Sequence, residues 1–302
     1  MIRIRRFRRN SMDIELRAGG GFSVRIVEHP GAWMSDSALE QLRSRIRAVV
    51  GDTVGGGSLD YGVARGDREL MSRAVVTLGY QRSPRRPVAL NAVVRVPVEL
   101  GGVPTEVLHL GLALVRPDCR HRGLCHRMYF LPLILGLLRR KGRPLWVSNV
   151  SQVPAAVGQV AEYFADVFPG KDPAQLPSPA QTAIAMQLFT RHRSVFGVGD
   201  DASFDSSRFV IRNAYTGGSD NLKKSLLEAA KHRDPAYNEL CAGSLDYTRG
   251  DDFLQVGRYT LNILRQSILQ TRARRVRISG EPTGSVAWSW FRTYGLYDTT
   301  QL

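Results

Sequence analysis

The chain has 302 residues, 42 of them basic and 27 acidic, for a formal charge of +15 near neutral pH. An apolar content of 43% excludes a disordered or collagen-like chain, and the length suffices for one large domain or two modest ones with a buried core. Thirty-seven of the basic residues are arginine. Codon usage can inflate arginine without explaining a shortage of acid. The excess therefore points to a polyanionic partner: nucleic acid, a phosphorylated co-substrate or an anionic membrane surface.

The three cysteines, Cys119, Cys125 and Cys241, form no disulfide framework and no C-x-x-C pair. No metal site is predicted, and a reducing cytoplasm is the expected compartment. The basic start, Met1 to Arg9, lacks the apolar run of a signal peptide. The longest apolar stretch, Met128–Leu138, is short for a bilayer and contains Pro132, so no membrane association is expected.

In chain order, residues 1–20 read as a basic tail ending in glycines. Ser23–Glu28 alternates like a strand, and Asp36–Val50 carries a helical stripe of Leu39, Leu42, Ile46 and Val49. After a glycine loop at 55–57 come three strand-like runs, Arg73–Tyr80, Val88–Val96 and Val107–Val115, separated by Pro/Gly turns. Leu124–Lys141 reads as a buried helix interrupted by Pro132, Pro144–Val150 as a strand and Val153–Val167 as a helix. Beyond the proline-rich 171–179 linker, helices are predicted near Ala180–His192, Asp220–His232 and Asp252–Thr271, with a strand near Phe209–Asn213. The order is that of a mixed α/β domain.

The most informative segment is Val115-Arg-Pro-Asp-Cys-Arg-His-Arg-Gly-Leu-Cys125, between a strand and an apolar helix. Such a turn offers consecutive backbone N–H groups at a helix N-terminus, where the dipole favours anions. Arg120 and Arg122 add charged donors, and Gly123 lets the backbone approach a ligand. Arg120-x-x-Gly123-x-Cys125 resembles the pyrophosphate-binding R/Q-x-x-G-x-G/A loop of the GNAT (GCN5-related) N-acyltransferase superfamily. Val115-x-Pro117, the strand Pro144–Val150 and Tyr163-x-x-x-x-Phe168 extend the resemblance over residues 23–215. Cys125 stands where the family has Gly or Ala, and Ala156 stands where it often has Asn.

The resemblance implies a mixed, mostly antiparallel central sheet flanked by helices, here over 21–215, with a largely helical C-terminal extension over 216–302. It implies that Arg120, His121, Arg122, Gly123, Leu124 and Cys125 bind donor phosphates. It also implies that a splayed fourth strand, Val107–Val115, polarises the donor carbonyl through backbone N–H groups. Tyr163 matches the family's general acid, with a core aromatic as the alternative reading. For the base, His109 is preferred over Glu106; the two have opposite strand parity and cannot share a face. No cofactor is expected to be tightly bound.

Basic clusters add a second theme. Arg82/Arg85/Arg86, Arg139/Arg140/Lys141/Arg143 and Arg272/Arg274/Arg275/Arg277, with the N-terminal arginines, could together neutralise many phosphates. GNAT-like folds occur in tRNA-dependent amide-forming enzymes, so the analogy favours an acyl- or aminoacyl-tRNA donor and a small-molecule amine acceptor. An ordinary acyl-CoA-dependent enzyme and a non-enzymatic RNA-binding module are the alternatives.

Overall fold

The computed structural model describes residues 2–8, 11–54, 59, 62–120, 122 and 124–267, with the side chains of 125 and 126 excepted. The chain opens with a hairpin, β1 (Ile2–Arg8) and β2 (Ser11–Gly19), followed by β3 (Phe22–Glu28). Residues 2–8 and 11–19 are therefore part of the sheet rather than a basic tail. Met12, Ile14, Leu16 and Ala18 alternate along β2, and Arg5 of β1 pairs with Asp13 and Glu15.

Four helices follow: α1 (Pro30–Trp33), α2 (Asp36–Thr53), α3 (Gly62–Arg65) and α4 (Arg68–Arg73). Ser35 caps α2 by accepting the Ala38 N–H, and the helix buries the predicted stripe of Leu39, Leu42, Ile46 and Val49. A meander of β4 (Ala74–Arg82), β5 (Arg85–Leu100) and β6 (Val103–Val115) comes next, as the turn chemistry predicts.

Past a 3-10 turn at Pro117–Cys119 lie α5 (Leu124–Arg139), β7 (Leu145–Ser151), α6 (Pro154–Tyr163) and β8 (Ala165–Phe168). The predicted helix Val153–Val167 thus ends early, and its last residues form a strand. The chain continues through α7 (Pro179–His192), β9 (Ser203–Asp205), β10 (Val210–Arg212), α8 (Pro235–Ser244) and β11 (Asp252–Tyr259). Two helix expectations are corrected here. Asp220–His232 contains only a 3-10 turn at Asp220–Leu222, and 252–259 is a strand, with helix resuming at 261–267. Residues 252–257 are all buried, so the run lacks the polar side that would separate a strand from a helix.

The sheet order is β1-β2-β3-β4-β5-β6-β7-β11-β10-β9, with β8 also on β11. All neighbours are antiparallel except β6 and β7. Because β11 lies between β7 and β10, the sheet runs through the 215/216 boundary. Helices α2 and α7 cover one face, burying Leu42, Ile46, Ile184 and Leu188 in one cluster, while α5 and α6 cover the other. All seven positions of β3 are buried, as expected of a strand covered on both sides. Gly79 fixes how closely α5 approaches: a Cβ there would meet Leu124 Cδ2 at 2.9 Å and Met128 Sδ at 3.0 Å. No helix among the described residues is long and apolar enough to cross a membrane.

Candidate active site

The parallel pairing of β6 with β7 is short. It runs from Val107 opposite Trp146 to Leu110 opposite Asn149 and stops there. On its other edge β6 is irregular at the same place: the register against β5 shifts between Asn91 and Val93, so Gly111 and Leu112 form a bulge. Bulges bend the strand that carries them. Beyond the bulge the two strands part, and a cavity of about 120 Å³ opens between Leu110–Leu114 and Asn149–Ser151. Alternate N–H groups of β6 lose their sheet partner on this side, leaving donors for a bound group.

His109 lies at the foot of the splay. Its Nδ1 is 3.1 Å from Ser148 Oγ, across the last regular pairs, and its ring packs on Phe196 with centroids 5.0 Å apart. Burial pushes its pKa down to about 4, so it is neutral at pH 7.

The cavity is lined by polar groups of both signs. The Tyr215 hydroxyl donates to Asp252 Oδ1 at 2.9 Å. Asp252 is buried at the start of β11 and lines the cavity. Burial raises its pKa to about 7; the Tyr215 hydrogen bond opposes the rise and the Asp251 charge adds to it. Lys224 also lines the cavity, its pKa lowered by burial and by the charge of Arg120, against the pull of Glu228.

The predicted phosphate turn stands near Lys224, whose titration its Arg120 affects. Arg120 Nε donates to Val115 O at 3.1 Å, at the end of β6, and Arg122 lies exposed over the Phe22 ring at 5.7 Å. Leu124 is buried as the first residue of α5. Asp118 is held by Arg86 at 2.6 Å and Arg116 at 3.3 Å, and Arg116 also pairs with Asp52, which ties the turn to the β4–β5 hairpin and to α2. His121, Gly123 and the Cys125 side chain lie outside the described residues. Cys119 has arginines on both sides in the sequence, an arrangement that alone would lower a thiol pKa. Burial and Asp118 instead raise it, with Arg86 and Arg122 opposing.

Of the three predicted catalytic residues, the fold brings only His109 to the cavity. Glu106 lies opposite Pro97, half exposed and 4.0 Å from Arg95, on the other strand parity. Tyr163 ends α6 with its ring edge-on to Phe130 at 5.6 Å, beside the cluster of Phe164 and Tyr259, and does not line the cavity. Its side chain is half-buried against that cluster. Asp252, Tyr215 and Lys224 were not anticipated. Asp252 and Lys224 arrive from segments read as helix and Tyr215 from the unassigned stretch after the 209–213 strand, so no local spacing marks them.

The basic clusters also divide. Arg85 grips Glu15 at 2.8 and 3.1 Å, Arg86 serves Asp118, and Arg139 reaches the buried Glu28 at 2.7 Å. Arg140 is partly buried. Arg82, Lys141 and Arg143 are exposed without an ion pair among the described residues, and Arg272, Arg274, Arg275 and Arg277 lie outside them.

No protein-family model matches the chain, and no curated protein matches it. Among solved structures, it is similar to a protein of Desulfovibrio desulfuricans assigned as a GNAT-family acetyltransferase, at 14% identity and TM-score 0.26, over 43% of this chain and 74% of that one. A mosquito arylalkylamine N-acetyltransferase-like protein gives 13% identity and TM-score 0.30, over 49% and 85%. An Enterococcus faecalis protein of unknown function, assigned as an N-acyltransferase, gives 11% identity and TM-score 0.31, over 58% of this chain and 45% of that one. The sheet described above, mixed and mostly antiparallel with helices on both faces, is the arrangement that the sequence motifs imply.

Proposed function

We propose that the protein is an N-acyltransferase that forms an amide in the splay between β6 and β7. The observation that carries the reading is the cavity itself, which opens where β6 and β7 cease to pair and is lined by both Lys224 and the Asp252 carboxyl. An acyl donor lies with its phosphates at Arg120, Arg122 and Lys224 and its carbonyl against the freed N–H groups of β6, which stabilise the charge that develops on oxygen. Neutral His109, held by Ser148, borders the reacting carbonyl and can accept a hydrogen bond there.

The donor favoured by the geometry is an acyl-CoA thioester. Three cations around one turn match a diphosphate, whereas Arg85, Arg86 and Arg139 already serve internal acids. A second reading, an acyl- or aminoacyl-tRNA donor, draws on exposed Arg82, Lys141 and Arg143. Titration of the full chain with acetyl-CoA and with aminoacyl-tRNA across a salt series separates the two. Coenzyme A donors predict saturable binding with a shallow salt slope; an RNA donor predicts a steep one. Arg120→Ala should weaken the true donor by about 1.5–3 kcal/mol. Unchanged affinity for both donors would remove the phosphate role of the turn.

A further inference from the structure

Asp252 is the one side chain at the cavity whose placement no feature of the donor explains. It is buried, it opens onto the cavity, and only one of its oxygens is engaged: Tyr215 donates to Oδ1, and no hydrogen bond among the described residues reaches Oδ2. Its neighbour in the chain shows the contrast. Asp251 is equally buried, yet Arg249 clasps both of its oxygens, at 2.8 and 2.6 Å. A buried carboxylate without a cation is costly, so a site that keeps one has a cation arriving from outside. Among the described residues Asp252 forms no ion pair, although Lys224 also lines the cavity.

Resting on the acyltransferase reading, we propose that Asp252 is the catalytic residue that receives the acceptor, an unbranched aliphatic primary amine entering as its ammonium ion. The ammonium pairs with Oδ2 while Tyr215 holds Oδ1. A cavity of about 120 Å³ limits the buried part of the acceptor to a short chain, and Leu110, Leu112 and Val150 line it with apolar surface. One ammonium proton passes to the Asp252 carboxylate, which frees the nitrogen lone pair to attack the thioester carbon. As the C–N bond forms and the C–S bond breaks, a second proton leaves nitrogen for the departing thiolate sulfur. The third stays on the amide, and Asp252 returns its proton to solvent.

The surroundings suit this task. Burial raises the carboxyl, the Asp251 charge raises it further, and the Tyr215 hydrogen bond restrains it, which leaves it at about 7. Behind it, burial raises the Cys241 thiol to about 12 and raises the phenol of half-buried Tyr247, so neither carries charge at neutral pH. Across the cavity His109 is neutral, and in the adjoining loop Asp246 and Arg249 face Asp251. A base near pH 7 removes and releases a proton with little driving-force penalty in either direction.

The test uses the full chain, acetyl-CoA and two acceptors, n-butylamine, which is charged at pH 7.5, and hydroxylamine, which is not. Asp252→Asn keeps the shape and the Tyr215 contact. It should lower kcat/KM for butylamine by about 100-fold while changing hydroxylamine turnover far less. Tyr215→Phe, which removes the restraint on the carboxyl, should fold as the wild type does and move the rising limb of the kcat/KM profile from near 7 to higher pH. Butylamine binding without donor should also weaken about tenfold or more in Asp252→Asn, while n-butanol binding stays as in the wild type. Undiminished butylamine turnover in Asp252→Asn, or an unmoved limb in Tyr215→Phe, overturns the inference and leaves the acyltransferase reading standing. Asp252-dependent amine binding without transfer from any donor would instead overturn that reading and, with it, the proton-transfer step.

Discussion

At the β1–β3 end of the sheet, each buried acid meets arginine: Asp13 meets Arg25 at 2.7 Å, Glu15 meets Arg5 and Arg85, and Glu28 meets Arg95 and Arg139. At the β6–β7–β11 end, Asp252 has a single hydroxyl and no ion pair among the described residues. The titration behaviour follows. Burial raises Glu15, but hydrogen bonds from Arg85 and Ser23 outweigh it and bring the carboxyl down to about 2, whereas Asp252 rises to about 7. The same residue type is structural where its partner is built in and available for chemistry where it is not. Five arginines are therefore engaged inside the molecule, neutralising the buried acids of β2 and β3.

Removing one buried acid from each end should break or sharpen that contrast. Glu28→Ala leaves Arg95 and Arg139 facing each other without an anion, and urea unfolding should show a loss of about 3–5 kcal/mol. Asp252→Asn should do the reverse. A carboxyl raised in the folded state contributes stability that is full below its unfolded pKa near 4 and is lost as pH rises through 7. The Asn variant lacks that loss, so its stability relative to wild type should grow by about 3 kcal/mol between pH 4 and pH 8. A flat difference across that range would show that Asp252 is not held as described.

His109 gives a smaller effect of opposite sign in pH. Its folded pKa is depressed to about 4, so its contribution is full above the unfolded value near 6.5 and is lost as pH falls toward 4. Relative to His109→Gln, the wild type should lose about 2 kcal/mol between pH 8 and pH 5, measured as the change in unfolding free energy. The smallest change belongs to the free cations. The triple variant Arg82→Ala, Lys141→Ala, Arg143→Ala should leave stability within about 0.5 kcal/mol of wild type. A larger loss would place these residues in the structural set with Arg85 and Arg139.

Much of the central fold was legible in the sequence. The strands β4–β7 and the helices α2 and α5 carry either strong periodicity or unambiguous turn residues such as Gly101-Gly102 and Pro144. The hairpin β1–β2 was hidden because its arginines read as a solvated tail, when their partners Asp13 and Glu15 lie only across the turn. Strand β11 was hidden because it is buried on both faces and loses alternation. For the site, the turn around Arg120 and the strand of His109 were legible, since both are local patterns. Asp252 was not, because only the pairing of β11 with β7 brings it to the cavity. Charge clusters misled for a related reason: a sequence displays the cations but not the acids that fold against them.

Amine-dependent release of thiol from acetyl-CoA by the full chain, followed with a thiol reagent over a set of short aliphatic amines, tests the central claim most directly. The account predicts release that requires both amine and protein, saturates with each substrate, and yields the N-acetylated amine by mass spectrometry. Thiol release that is independent of amine, or no thiol released from any acyl-CoA together with no amide formed from aminoacyl-tRNA at any pH between 6 and 9, would contradict it.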